Sequence, residues 1–230
     1  MFGWYIDPVY LWVVVIVLII SLAVQAFMRS TFSKWSSVRN GSGLNGLQVG
    51  QQLFNRTSLQ PISVERTSGT LTDHFDPGAN VVRLSDPVAT EPTVASMAVT
   101  AHELGHVQQY QSGSALIKAR GVLLPALQFS PTISYLAILF GLIWNITDLL
   151  WIGVFFFAVM VLFSILTLPI EIDASRRGLR MLDQAQLMKT EEDRQGSRRV
   201  LMAAASTYLA AAITSILQLL YYISVAQRRG

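Results

Sequence analysis

Four long runs of apolar side chains, separated by polar segments, dominate the pattern along this 230-residue chain. A helix needs about 20 apolar residues to cross the hydrocarbon core of a bilayer, and each run is long enough. The runs cover residues 8–28, 122–144, 150–170 and 200–224. We therefore predict four transmembrane helices. The first should be a retained anchor, because it lacks the basic start and small-residue cleavage site of a signal peptide.

The two polar segments, 29–121 and 171–199, contain short helix and strand patterns that predict a small α+β domain. Apolar side chains at helical spacing predict a helix over about 43–56, with Ser42 as its N-cap. Residues 62–66 have the composition of a strand. These segments are expected to form the soluble, catalytic part of the protein.

A β-hairpin is predicted over residues 69–85, with strands at about 70–75 and 80–84. The turn chemistry comes from Asp76 to Asn80, which includes Pro77 and Gly78. A helix should then begin near Pro92, since proline suits the first helical position, and end around Ser112-Gly113. The expected fold class is mostly α: four transmembrane helices with a small α+β zincin-like domain, in one membrane-embedded domain over residues 1–230.

Composition agrees with a membrane protein, since 52% of the residues are hydrophobic and only 13% are charged. Soluble domains usually carry about 25% charged residues. The chain has no cysteine, which excludes disulfides, thiolate metal ligands and a cysteine nucleophile. Only three histidines are present, so any histidine metal site must draw on these three.

Lysine and arginine are distributed unevenly. Segment 29–121 contains eight and segment 171–199 contains seven, whereas residues 1–28 and 145–149 contain none. Basic residues favour the cytoplasmic side, so both polar segments are expected there. Arg228 and Arg229, beyond the last run, conflict mildly with this topology. Anchoring to anionic lipid explains the basic excess, and nucleic-acid binding is not expected because no basic stripe interleaved with aromatic residues is present.

The sequence His-Glu-Leu-Gly-His at 102–106 is the candidate metal-binding and catalytic motif. It lies inside the helix predicted to begin near Pro92. Residues four apart share one face of a helix, so His102 and His106 can bind one zinc ion. Glu103 follows the first ligand and can act as the general base that takes a proton from water. The alternative is a pair of surface histidines without a metal.

A catalytic zinc needs a third protein ligand, and we expect a carboxylate. Glu171 is the leading candidate, because the predicted membrane hairpin returns the chain to the same face of the bilayer. Glu171 also follows Pro169 at the expected start of a helix. The alternative to a ligand role is that its negative charge interacts favourably with the positive end of the helix dipole. Asp173 is the rival: it can be a ligand, a cap, or a group that orients a histidine ring.

His74, in the first hairpin strand, has two readings. It can donate a hydrogen bond to the oxyanion of a reacting amide. The favoured reading is structural, with a hydrogen bond to Asp73 or Asp76.

Four stretches together resemble the YugP-like neutral zinc metallopeptidases of bacterial membranes: TDHFDP, NVVRLSD, AHELGHVQQ and LPIEIDASRRGL. The resemblance implies a gluzincin site related to HtpX-like proteases, whose third ligand is the glutamate of an ExxAD motif. Glu171 and Ala174 match that motif, whereas Ser175 replaces its aspartate. One Zn²⁺ ion and a protein or peptide substrate are implied.

We therefore predict a zinc-dependent endopeptidase in the cell membrane, with its site facing the cytoplasm. The alternative is a non-enzymatic scaffold or regulatory subunit that keeps a structural metal. A transporter is disfavoured, because the spans contain almost no ionisable groups. A membrane-protein partner and a homo-oligomer are both compatible with the sequence.

Overall fold

The computed structural model of the chain describes residues 7–229 and is mostly helical, as predicted. The elements within this range, in chain order, are α1 (Pro8–Ser36), α2 (Gly46–Arg56), β1 (Ser63–Thr67), β2 (His74–Asp76), β3 (Val81–Ser85), α3 (Asp86–Thr90), α4 (Val94–Gln111), α5 (Ala115–Trp144), α6 (Thr147–Gln184) and α7 (Glu191–Arg229). The short helix α3 was not predicted from the sequence.

Among the described residues, four helices are long and apolar enough to cross a membrane: α1, α5, α6 and α7. Each contains one of the predicted apolar runs, so the prediction of four candidate spans is confirmed. The fourth run, the least apolar at its start, lies within the single continuous helix α7.

The sheet has three strands in the order β1-β3-β2. Strand β3 pairs in parallel with β1 and antiparallel with β2. The predicted hairpin is therefore confirmed, although its first strand is only three residues long. The turn forms as its chemistry suggests, because one carboxylate oxygen of Asp76 accepts hydrogen bonds from the backbone N–H groups of Gly78 and Ala79.

Two helix starts differ from the prediction. The N-cap of α2 is Asn45 rather than Ser42, because Asn45 and Gln48 exchange the reciprocal hydrogen bonds of a capping box. The N-cap of α4 is Thr93, so Pro92 precedes the helix instead of opening it. The predicted end of α4 is confirmed: Gly113 follows with a φ of 64°, a conformation that glycine adopts freely.

The expected helix start after Pro169 is wrong, because Pro169 lies inside the continuous helix α6. A proline removes one backbone hydrogen bond from a helix, and neighbouring groups in membrane helices can compensate for that loss. Glu171 is therefore in the middle of a helix and far from its N-terminus. The dipole explanation for an acidic residue at this position no longer applies.

The chain forms two compact units. The apolar unit contains described residues 7–25, 118–168 and 207–229, and the polar unit contains residues 26–117 and 169–206. In the polar unit, α4 runs through the core, and the side chains that surround it come from α2, the sheet and the ends of the long helices.

Within the apolar unit, α5 and α6 pack closely through small residues. Ser134 donates a hydrogen bond of 2.9 Å to the carbonyl oxygen of Gly153, and a side chain at Gly153 would collide with Ile138. Such contacts suit helices in lipid, where close packing replaces the hydrophobic effect. The unit also has a half-open cavity of about 520 Å³, lined mainly by apolar and tyrosine side chains.

The two terminal arginines have partners at one end of the apolar unit. Arg228 lies 3.2 Å from the carboxylate of Asp7, and Arg229 donates to the carbonyl of Leu142 and to the side chain of Asn145. The start of α1, the α5–α6 connection and the end of α7 thus meet. Both arginines therefore have partners within the apolar unit.

Candidate metal centre

Helix α4 places His102 and His106 one turn apart on the same face, as their spacing predicts. Their ring centroids are 4.8 Å apart and the ring planes are nearly perpendicular, at 81°. The rest of α4 is largely buried, which leaves the helix little freedom to rotate. The two imidazoles are therefore held by the core of the polar unit.

Glu171 reaches the histidines because α6 packs backbone to backbone against α4. A β-carbon at Gly105 would lie 2.9 Å from the carbonyl carbon of Ala174, and one at Gly178 would lie 2.5 Å from the carbonyl oxygen of Ala101. Neither helix can carry a larger side chain at these glycines without moving away. The pair of glycines thus sets the distance between the two helices.

The three predicted ligand residues come together as one group. The Oε2 atom of Glu171 lies 3.2 Å from Nε2 of His102 and 3.4 Å from Nε2 of His106. Ligand atoms at zinc–ligand distances of 2.0–2.1 Å in a tetrahedron are separated by about 3.3 Å. The same oxygen is buried and has no hydrogen-bond partner, so its contacts with the histidines lack hydrogen-bond geometry. The residues therefore fit a zinc ion.

Charge in the group is balanced between two carboxylates and two imidazoles. Burial opposes ionisation of Glu171, but the two adjacent imidazoles lower its pKa to about 2. Burial likewise opposes protonation of His106, yet Glu171 and Glu103 raise its pKa. Burial raises the pKa of Glu103, whose side chain lies within the core beside the histidines. The carboxylates that favour the positively charged form of His106 would also attract a bound cation.

Each imidazole has a partner for its second nitrogen. Nδ1 of His102 lies 3.1 Å from the hydroxyl of Ser175, and Nδ1 of His106 lies 3.0 Å from Oε1 of Gln109. Sequence reasoning assigned no role to Gln109, and it noted Ser175 only as the residue that replaces the aspartate of the motif. Helical spacing could have found them, because Gln109 is three residues after His106 and Ser175 is four residues after Glu171.

Asp173 lies outside the three-residue group. Its Oδ2 atom accepts hydrogen bonds from Nε of Arg177, at 2.7 Å, and from Nε2 of Gln109, at 2.8 Å. It therefore contacts the site through Gln109 and not through a direct hydrogen bond to an imidazole.

His74 is exposed on the edge strand β2. Its Nδ1 atom lies 2.8 Å from the carbonyl oxygen of Thr72, rather than bonding to either predicted aspartate. Asp73 instead accepts hydrogen bonds from the backbone N–H and the hydroxyl of Ser85, and its burial raises its pKa. Asp73 thus connects the start of β2 to the end of β3.

Comparisons with known proteins agree with this picture. The protein family described as "Putative neutral zinc metallopeptidase" matches residues 10–227. A relative from Bacillus subtilis (strain 168), named "Putative membrane protease YugP", is 33% identical over 206 residues, which cover 90% of this chain and 91% of the relative. No solved structure matches.

Proposed function

This chain belongs to the family described as putative neutral zinc metallopeptidases, and from that premise we propose that it is a zinc-dependent endopeptidase of the gluzincin type. It is a multi-pass membrane protein. His102, His106 and Glu171 would hold one Zn²⁺ ion, and Glu103 would serve as the general base. The substrates would be membrane proteins or membrane-associated peptides, and both units would act as one metallopeptidase.

The observation that carries this proposal is the buried Oε2 atom of Glu171. It has no hydrogen-bond partner, yet two histidine nitrogens approach it within 3.4 Å. A buried carboxylate oxygen without a partner is costly, and a cation shared by the three residues removes that cost. Helix propensity or core packing alone gives no reason to bring these three side chains together.

Zinc bound in such a site lowers the pKa of a water ligand to near 7 and polarises a carbonyl group. Glu103 supports the proton transfers that peptide hydrolysis needs. Its burial raises the pKa of the carboxylate, which makes it a stronger base than a solvated glutamate. The carboxylate takes the proton from the attacking water and gives it to the nitrogen of the leaving amine.

The charge distribution supports a site on the cytoplasmic side. The polar unit contains the site and most of both basic segments, 29–121 and 171–199. Substrates would therefore be cleaved near the inner surface of the membrane.

A scaffold with a structural metal site is the competing function. Structural zinc sites in proteins are usually closed by four protein ligands, whereas catalytic sites keep one position open. The group found among residues 7–229 has three members, which favours catalysis. The buried Glu103 beside the ligands also has no purpose in a purely structural site.

A Glu103→Gln variant separates the two functions. We expect it to bind zinc as tightly as the wild type and to lose turnover by about 10²- to 10⁴-fold, since only the proton transfer is removed. The control is Glu91→Gln, the same change at an exposed glutamate of the polar unit. Membrane proteomics of cells carrying each variant would identify fragments that depend on Glu103. Unchanged fragments and unchanged cellular function with Glu103→Gln would favour the scaffold.

A further inference from the structure

Gln109 in α4 connects His106 to α6, and nothing in the family description assigns it a role. We propose that Gln109 is a positioning residue that holds His106 in the tautomer with its proton on Nδ1, so that Nε2 keeps the lone pair that binds the metal. The inference rests on the proposed function, because it concerns the same metal site.

The orientation of the Gln109 amide follows from its neighbours. Its Nε2 atom lies 2.9 Å from the carbonyl oxygen of Ile170 and 2.8 Å from Oδ2 of Asp173. Both partners are acceptors, so they use the two hydrogens of the amide nitrogen. A flipped amide would place oxygen against oxygen at both contacts. The Oε1 atom must therefore face His106.

That orientation decides the tautomer of His106. The Oε1 atom of Gln109 is 3.0 Å from Nδ1 of His106, and an amide oxygen can only accept a hydrogen bond. Nδ1 therefore carries the hydrogen, and in a neutral imidazole Nε2 is then unprotonated. This is the nitrogen that lies 3.4 Å from the Glu171 carboxylate. Gln109 is fully buried, so water does not compete for these positions.

The other histidine has no such constraint. The partner of Nδ1 in His102 is the hydroxyl of Ser175, which can donate or accept a hydrogen bond. The two partners should therefore differ in effect, and loss of the Gln109 amide should matter more than loss of the Ser175 hydroxyl.

Asp173 is expected to act through Gln109. Its carboxylate is fixed by Arg177 at 2.7 Å and in turn fixes one amide hydrogen of Gln109. The variant Asp173→Asn keeps an acceptor for that hydrogen, whereas Asp173→Leu does not. Because the Asp173 side chain is 29% exposed, these two changes are compatible with folding even if changes in the core are not.

The test uses the full chain, reconstituted in lipid, with zinc as the probe. Only three histidines are present, so ¹⁵N labelling of histidine rings resolves the protonation of each nitrogen, and a His74→Asn sample assigns the third. Gln109→Met removes the amide and keeps an unbranched side chain of similar size. Gln108→Met is the matched control, one position along the same helix. Zinc affinity is measured in parallel by competition with a chelator.

In the wild type, we expect a hydrogen on Nδ1 and zinc on Nε2 of His106. Gln109→Met should lose the defined Nδ1–H signal and bind zinc about 10- to 100-fold more weakly, while Gln108→Met should match the wild type. Ser175→Ala should lose less zinc affinity than Gln109→Met. Asp173→Asn should likewise lose less zinc affinity than Asp173→Leu.

An unprotonated Nδ1 on His106 in the zinc-bound wild type would overturn the inference. It would also be overturned if Gln109→Met and Gln108→Met had the same zinc affinity and the same spectra. The same holds if both Asp173 variants matched the wild type. Neither of these results would contradict the zinc site itself. A wild-type protein that binds no zinc would overturn the proposed function together with this inference.

Discussion

Replacement of Gly105 by alanine tests whether the close contact between α4 and α6 positions the proposed metal ligands. The added β-carbon would lie 2.9 Å from the carbonyl carbon of Ala174, and closer still to its oxygen. Ordinary contacts at a β-carbon begin at 3.4 Å. Because both collision partners are backbone atoms in a helix, no side-chain rotation can relieve the collision. The helices must separate, by a distance on the order of 1 Å.

This separation has two consequences of predictable size. Forcing an extra carbon into a packed core costs about 1–3 kcal/mol of folding free energy. The movement also carries Glu171 away from His102 and His106, whereas a working site tolerates displacements of only about 0.5 Å. We expect the zinc affinity of Gly105→Ala to fall at least about 100-fold. At a fixed zinc concentration well above both dissociation constants, the zinc-dependent part of the stability then falls by about 2.7 kcal/mol.

The assay compares the unfolding of purified full-length protein with and without zinc, together with chelator competition for affinity. Gly50→Ala is the matched control, because Gly50 is also a buried glycine inside a helix of the polar unit. A β-carbon there would meet Val64 and Thr100 at 3.6 and 3.7 Å, which are ordinary contacts. This control should gain up to about 1 kcal/mol from the better helix former.

Wild-type zinc affinity in Gly105→Ala would show that this contact does not position the ligands. Equal stability of the Gly105→Ala and Gly50→Ala variants in the absence of zinc would show that the added β-carbon causes no collision. Gly178→Ala should behave like Gly105→Ala, since its β-carbon would meet the carbonyl oxygen of Ala101 at 2.5 Å.

Three further predictions concern other parts of the molecule. Glu171→Gln should reduce bound zinc, measured by elemental analysis of the purified protein, because a neutral amide is a weaker ligand; a full zinc content would show that Glu171 is not needed. Asp193→Ala should lower the free energy of unfolding by at least about 2 kcal/mol, because the backbone N–H groups of residues 41, 189 and 190 lose their buried acceptor; a melting temperature equal to that of the wild type would contradict this. The proposed topology places Ser68 on the cytoplasmic side and Ile146 outside. In the cysteine-free chain, Ser68→Cys should therefore be shielded from a membrane-impermeant maleimide in intact cells, whereas Ile146→Cys should be labelled. The reverse pattern would show that the topology is inverted.

The elements that depend on local patterns were predictable from the sequence. The four apolar runs became candidate membrane helices, and the hairpin formed around the Asp76 turn. The helix that carries the histidines ended where Ser112 and Gly113 indicated. In each case the signal lies within one stretch of chain, so no long-range contact had to be known.

Pro169 was misleading for a physical reason. A proline usually marks a helix boundary, but here the helix continues through it. Whether a helix ends or continues at a proline depends on how the surrounding chain packs, which one stretch of sequence does not reveal. The N-cap of α2 was misassigned for a different reason: the capping box of Asn45 and Gln48 is a local signal in the sequence, and it was overlooked in favour of Ser42.

The contact between α4 and α6 carries a signal that is visible only in retrospect. Each helix has a small residue four positions before its glycine: Ala101 before Gly105, and Ala174 before Gly178. Such spacing allows two helix backbones to approach closely. The sequence alone does not say that these two stretches, about 70 residues apart, face each other.

The separation between the histidines and Glu171 affects when the proposed zinc site can form during synthesis. Glu171 leaves the ribosome 65 residues after His106, and the intervening chain forms most of a membrane hairpin. At about 5–20 residues per second, the nascent chain remains for several seconds with two of its three ligands. The proposed zinc site can therefore form only after the whole α5–α6 segment has been synthesised.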